Sequence, residues 1–94
     1  MWLIAFFGLL AVYLGFILDI SKTEWIFIVF SIGFVAVSEA FNTAIEIDID
    51  LTSPQYHPFA RDTKDVAAGA VFLAVFVAAI VGLIVFLPKI FSML

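Results

Sequence analysis

The sequence predicts an all-α integral membrane fold of three transmembrane helices, and three observations carry that expectation. Of 94 residues, 66% are hydrophobic, too apolar for a soluble domain of this length. Three apolar runs, 2–18, 25–45 and 66–87, reach or approach the roughly 17 to 20 residues that a helix needs to cross a bilayer. Glu39 is the one charged residue inside any of these runs; the other charges lie in the segments between and beyond them.

The first span is expected at about 2–20. It lacks a basic leading region and no small-residue cleavage site follows it, so it is read as a retained span rather than a signal peptide. A polar turn from Asp19 to Glu24 follows, in which Ser21 or Thr23 is suited to cap the next helix. The second span, about 25–46, belongs to a helix expected to run past the membrane to about Asp50 or Leu51. Thr52-Ser53-Pro54 then breaks it, because proline has no amide donor and restricts the residue before it. The connecting loop is placed at about 47–61. A third helix is expected to start between Phe59 and Asp62, span about 62–87, and end where Pro88 and Lys89 follow Phe86. It carries Ala70, Ala74, Ala78 and Gly82 at intervals of four, a ridge along which another helix can approach closely. Three helices with a polar stripe inside the membrane need partners to cover it, so a homo-oligomer is expected.

The chain has no cysteine, which excludes disulfides and thiolate metal sites. Its net charge of −4 argues against nucleic acid as a partner. Glu46, Asp48, Asp50, Asp62 and Asp65 gather around one loop, against Arg61 and Lys64. Such a surface repels phosphates unless a divalent cation stands between them. Lys22 and Lys89 fall on one side of a three-span chain and Arg61 and Lys64 on the other, so the distribution of positive charge does not choose an orientation.

The second apolar run holds the chemistry. At about 100° per residue, Glu39, Asn42 and Glu46 share one helical face, and Asp50 continues the stripe. A charged side chain near the bilayer centre costs about 3 kcal/mol or more, so such groups face protein or water and mark function. Glu39 lies about 10 Å deeper along the axis than Glu46 and is suited to act as a general base. Glu46, nearer water, is suited to hold a hard cation; magnesium is typically bound by one or two carboxylates together with substrate phosphates. Lys64 offers a compact positive charge to phosphate oxygens, with Asp65 beside it. Together these groups suit phosphoryl transfer from a metal-bound nucleotide to a hydroxyl delivered from the bilayer. Competing readings are that Glu39 and Asn42 are interhelical hydrogen-bonding groups and that Lys64 and Asp65 are a solvated pair at a helix start. No glycine-rich phosphate loop is present.

The block Glu39-Ala-Phe-Asn42-Thr-Ala-Ile-Glu46, then Asp50, Ser53-Pro-Gln-Tyr56-His57-Pro, and Ala60-Arg-Asp-Thr-Lys64-Asp65-Val-Ala-Ala-Gly69-Ala resembles the prokaryotic diacylglycerol kinase family, which includes undecaprenol kinases. The resemblance implies a three-span enzyme of the bacterial cell membrane, built as a homotrimer with active sites shared near the cytoplasmic surface. It places the N-terminus and the loop around His57 in the cytoplasm. It implies ATP and Mg²⁺, with a lipid alcohol, undecaprenol or diacylglycerol, as acceptor. Glu39 matches the catalytic base and Glu46 a ligand of the nucleotide's metal. Gln55, Tyr56, His57, Lys64 and Asp65 match nucleotide-contacting positions, and Asn42 a polar residue lining the site. The loop and the Asp65 segment are more similar to the Gram-positive branch, which favours undecaprenol.

Family members begin with an amphipathic surface helix that supplies a second metal-binding glutamate, whereas this sequence opens at Met1-Trp2, already within the first apolar run. The expectation is therefore that residues 1–94 alone insert and associate but transfer little phosphate, and that a family-type N-terminal segment restores transfer. Two other classes of function stay open on the sequence: a non-catalytic membrane subunit that assembles with a full-length kinase, and a small proton or cation conductor using the Glu39 stripe.

Overall fold

The computed structural model describes residues 2–94; Met1 lies outside the described residues. The chain is all-helical, with α1 at Trp2–Ile17, α2 at Lys22–Thr52 and α3 at Pro58–Met93. The molecule is an elongated hairpin of α2 and α3, with α1 packed mainly near one end, and measures 55 × 19 × 16 Å. Both α2 and α3 are long and apolar enough to cross a membrane. With 16 residues and a rise of about 1.5 Å each, α1 is about 24 Å long, short of the ~30 Å hydrocarbon layer.

α1 stops before residue 20 because its end is closed by backbone geometry. Asp19 takes a left-handed conformation, φ 51°, and the Ile20 amide donates back to the Gly15 carbonyl at 3.2 Å. That six-to-one bond is a Schellman closure, and the buried Ile20 supplies the apolar contact that accompanies it. Ser21 then caps α2 in a reciprocal box: its Oγ accepts from the Glu24 amide at 3.2 Å, while Glu24 Oε1 accepts from the Ser21 amide at 2.8 Å. The Trp25 ring lies directly over Gly15, where an added Cβ would stand 2.6 Å from it, and also meets Phe16, with ring centroids 4.9 Å apart. Glycine at 15 is what lets the first turn of α2 fold back on α1.

At the other end, α2 runs to Thr52 and the Ser53 amide bonds the Ile49 carbonyl at 2.7 Å. α3 begins at Pro58, the first helical position, where a missing amide costs nothing. It does not end before Pro88. The helix continues through that proline to Met93, in place of the stop expected near Phe86. Packing of the buried Val85 and Phe86 just before the proline, with Lys89 Nζ 3.1 Å from Glu24 Oε1 of α2 just after it, keeps this part of α3 against the rest of the chain.

The seam between α2 and α3 is built from Ile28 and Val35 on one side and Ala67, Ala74, Val85 and Phe86 on the other, all buried. Ala74 is 1% exposed within the single chain. The small-residue ridge is thus used, at Ala74, to bring α3 against its own α2, the close helix approach that its spacing allows. Much of the remaining apolar surface is open: Phe16, Phe30 and Phe72, among others, are about three-quarters exposed, as suits lipid or further protein. Replacing Ala74 with Leu is expected to force the seam apart and destabilise the hairpin by about 1–3 kcal/mol, read as a lower midpoint of unfolding in mixed micelles. An unchanged midpoint would mean that Ala74 is not in the seam.

Candidate active site

Glu39, Asn42, Glu46 and Asp50 all lie on the half of α2 that leads to the α2–α3 turn. Helix geometry sets Glu39, Glu46 and Asp50 within about 40° of one another, along one flank of the seam, with Asn42 in the seam itself. Asn42 is the one buried polar residue among the described residues, 8% exposed. Its Nδ2 donates to Glu46 Oε1 at 3.2 Å, one turn along the helix. Its Oδ1 is buried and has no hydrogen-bond partner. An unmet buried acceptor costs about 1–3 kcal/mol, so the fold tolerates this group for a reason other than the stability of the single chain.

Glu39 is half-buried and makes no hydrogen bond or ion pair with other described residues, so both carboxylate oxygens are available. Glu46 is exposed, with one oxygen engaged by Asn42. Among the described residues no group of three or more His, Asp or Glu side chains gathers as a metal cage. One hard carboxylate with free lone pairs nonetheless fits magnesium carried on a nucleotide, since that ion keeps waters and phosphates as most of its ligands.

The turn brings α3 residues to the same end. Lys64 Nζ meets Asp50 Oδ1 across 14 positions of sequence, an ion pair that is also a hydrogen bond. The partner of Lys64 is therefore Asp50 on α2, not the neighbouring Asp65, which is exposed and makes no hydrogen bond among the described residues. Sequence spacing could not show this, because it depends on how α3 returns along α2. His57 caps α3: its Nδ1 accepts from the Phe59 amide at 3.1 Å, which leaves Nε2 as the ring's outward-facing nitrogen. Tyr56 accepts at its hydroxyl from Arg61 Nη1 at 3.3 Å, and Arg61 Nη2 also lies 3.4 Å from Asp62. Gln55 is exposed in the turn. A cleft of about 220 Å³ opens on the other flank of Asn42, lined by Phe34, Phe41 and Ile45 of α2 and Ala67 and Ala70 of α3. Of its two polar residues, Ser38 bonds its own helix at the Phe34 carbonyl and Asn42 bonds Glu46 through Nδ2, so the lining is mainly apolar.

A profile of the prokaryotic diacylglycerol kinase family matches residues 1–86, so the chain belongs to this family of membrane-bound lipid kinases. Similar proteins include the undecaprenol kinase of Bacillus subtilis (strain 168), 44% identical over 75 residues, which covers 80% of this chain and 61% of that one. The diacylglycerol kinase of Synechocystis is 48% identical over 61 residues, 64% of this chain and 35% of that one. The diacylglycerol kinase of Escherichia coli (strain K12) is 33% identical over 72 residues, 77% of this chain and 59% of that one. The matches thus span between about a third and three-fifths of the relatives' own length. No solved structure matches the chain significantly.

Asn42→Leu tests whether Asn42 is a structural residue of the hairpin. Removing the orphaned acceptor is expected to leave hairpin stability within about 1 kcal/mol of the parent, since an apolar group of similar shape can replace a half-satisfied polar one. A large loss of stability measured in micelles would make Asn42 a structural hydrogen-bonding residue instead.

Proposed function

We propose that this chain carries the α2–α3 active-site hairpin of a lipid kinase that moves the γ-phosphate of MgATP to a membrane lipid alcohol at the cytoplasmic interface. The observation that carries the reading is the α2 flank itself: a half-buried, unpaired Glu39, then Glu46, then a lysine from α3 brought to the water-facing end by Asp50. Chemistry between an apolar acceptor and a water-soluble donor needs such a gradient, with a base at depth and phosphate-binding groups at the surface.

In this reading the lipid hydroxyl enters beside Glu39, which takes its proton as the oxygen bonds to the γ-phosphorus and the bond to the β-phosphate oxygen breaks, releasing ADP. Glu46 would hold the metal that the nucleotide brings, and magnesium bound there would supply charge neutralisation on the phosphates. Lys64 contacts phosphate oxygens, while Gln55, Tyr56, His57 and Asp65 flank the nucleotide. Asn42 keeps Glu46 oriented through Nδ2. Undecaprenol is the favoured acceptor, in line with the name of the Bacillus relative, whose match covers 80% of this chain. A homotrimer, a third span formed by α1, and a cytoplasmic α2–α3 turn in the bacterial plasma membrane complete the proposal; the exposed aromatic surface supports burial in lipid and against further copies.

The test is transfer of labelled γ-phosphate to undecaprenol and to diacylglycerol in mixed micelles, by the chain alone and with the N-terminal segment of the Bacillus relative fused before it. Transfer to undecaprenol by the fused form, reduced at least ~10²-fold by Glu39→Gln with nucleotide binding retained, is the expected result. Transfer that survives Glu39→Gln would remove the base from the account. No transfer to either lipid from either form would remove the kinase reading.

A further inference from the structure

We infer that Asp50 is the positioning residue for Lys64. The inference rests on the lipid-kinase reading, since it concerns the cation which that reading gives to phosphate. The Nζ–Oδ1 contact joins the last turns of α2 to the first turns of α3 around the turn at residues 53–57. Lysine has a long flexible stem and a strongly hydrated head, so an untethered Lys64 would spend its time spread through water beyond the turn. Asp50 stands one turn past Glu46 on the same flank of α2, about 6 Å along the axis. A cation anchored there therefore waits beside the groups that would meet the nucleotide's phosphates. Asp65, next in sequence, points about 100° away around α3 and does not compete for the contact.

The contact is also built to yield. The Lys64 side chain is 37% exposed and that of Asp50 66%. An ion pair this open is weakly held, so a phosphate oxygen can replace the carboxylate while Asp50 returns to water. Asp50 thus aims Lys64 before nucleotide arrives and releases it on arrival.

The sign of the effect distinguishes this from plain electrostatics. Asp50 lies among Glu46, Asp48, Asp62 and Asp65, so removing its negative charge should by itself tighten the binding of an anionic nucleotide. Positioning predicts the opposite.

The experiment has two readouts on the reconstituted, phosphate-transferring form. A water-soluble carbodiimide should join Asp50 to Lys64 as an amide, identified by peptide mass spectrometry, and millimolar MgATP should lower the yield. In steady-state kinetics, Asp50→Asn should raise the KM for MgATP about 5-fold with kcat changed less than about 2-fold, and Asp50→Glu should restore most of the loss. In a Lys64→Met background, Asp50→Asn should add no further weakening of MgATP binding. An unchanged or lower KM in Asp50→Asn, additive losses in the double variant, or loss of helical content in both Asp50 variants would overturn the inference. Nucleotide use that ignores Asp50 would overturn this inference alone. A parent chain that forms the cross-link but neither binds nor uses MgATP would overturn the lipid-kinase reading and this inference with it.

Discussion

Antiparallel packing of α3 on α2 is pinned by an ion pair at each end, Glu24 with Lys89 and Asp50 with Lys64, and the position of every polar group follows from that register. Glu24 and Asp50 are 26 positions apart on α2, and Lys64 and Lys89 are 25 apart on α3. At about 1.5 Å per residue both intervals are close to 38 Å, so the two clamps are mutually consistent in two nearly straight helices. Ion pairs this open to solvent contribute too little to hold the hairpin together. They select one alignment, and close contact at Ala67 and Ala74 supplies the cohesion in an environment where lipid competes equally for apolar surface.

That alignment explains why the polar residues of α2 lie beside the seam rather than within it. Ile28, Val35 and Asn42 succeed one another at intervals of seven as the buried positions of α2. The first two are apolar; the third is an amide with an unmet acceptor. Glu39 and Glu46, turned away from the seam by a fraction of a turn, escape full burial while staying next to it. The seam thus converts from packing to chemistry as it nears the α2–α3 turn. The acidic character of that turn is partly neutralised by Lys64 and Arg61, both of which are engaged by oxygen acceptors.

Much of this was legible in the sequence because it depends on local rules. Three helices, the Ser21 cap, the break at Thr52-Ser53-Pro54 and the shared face of Glu39, Asn42 and Glu46 follow from hydrophobic runs, capping chemistry and helical period. The family was legible from the Glu39 to Gly69 block. What the sequence did not show was tertiary. Pro88 reads as a helix stop until the helix around it is seen packed at Val85 and Phe86, with Lys89 beside Glu24, 65 positions earlier. Lys64 reads as the partner of Asp65 until α3 is laid along α2. The alanine ridge does not say which helix it receives until Ala74 is seen covered by the chain's own helices. The end of α1 at Ile17 depended on a non-glycine residue, Asp19, accepting a left-handed conformation that composition does not announce.

The central claim is the α2–α3 register, and because the chain contains no cysteine, introduced pairs report on it without background. Val35 is buried on α2, and Ala78 stands opposite it if the two clamps are both closed. Oxidation of the Val35→Cys/Ala78→Cys variant in membranes should give a fast intramolecular disulfide. Pairing the same α2 cysteine with Val71→Cys or Val85→Cys moves the target by two turns, about 10 Å along the axis, and should give little. Efficient closure of 35 with 71 or 85, and not with 78, would contradict the register and the site built on it.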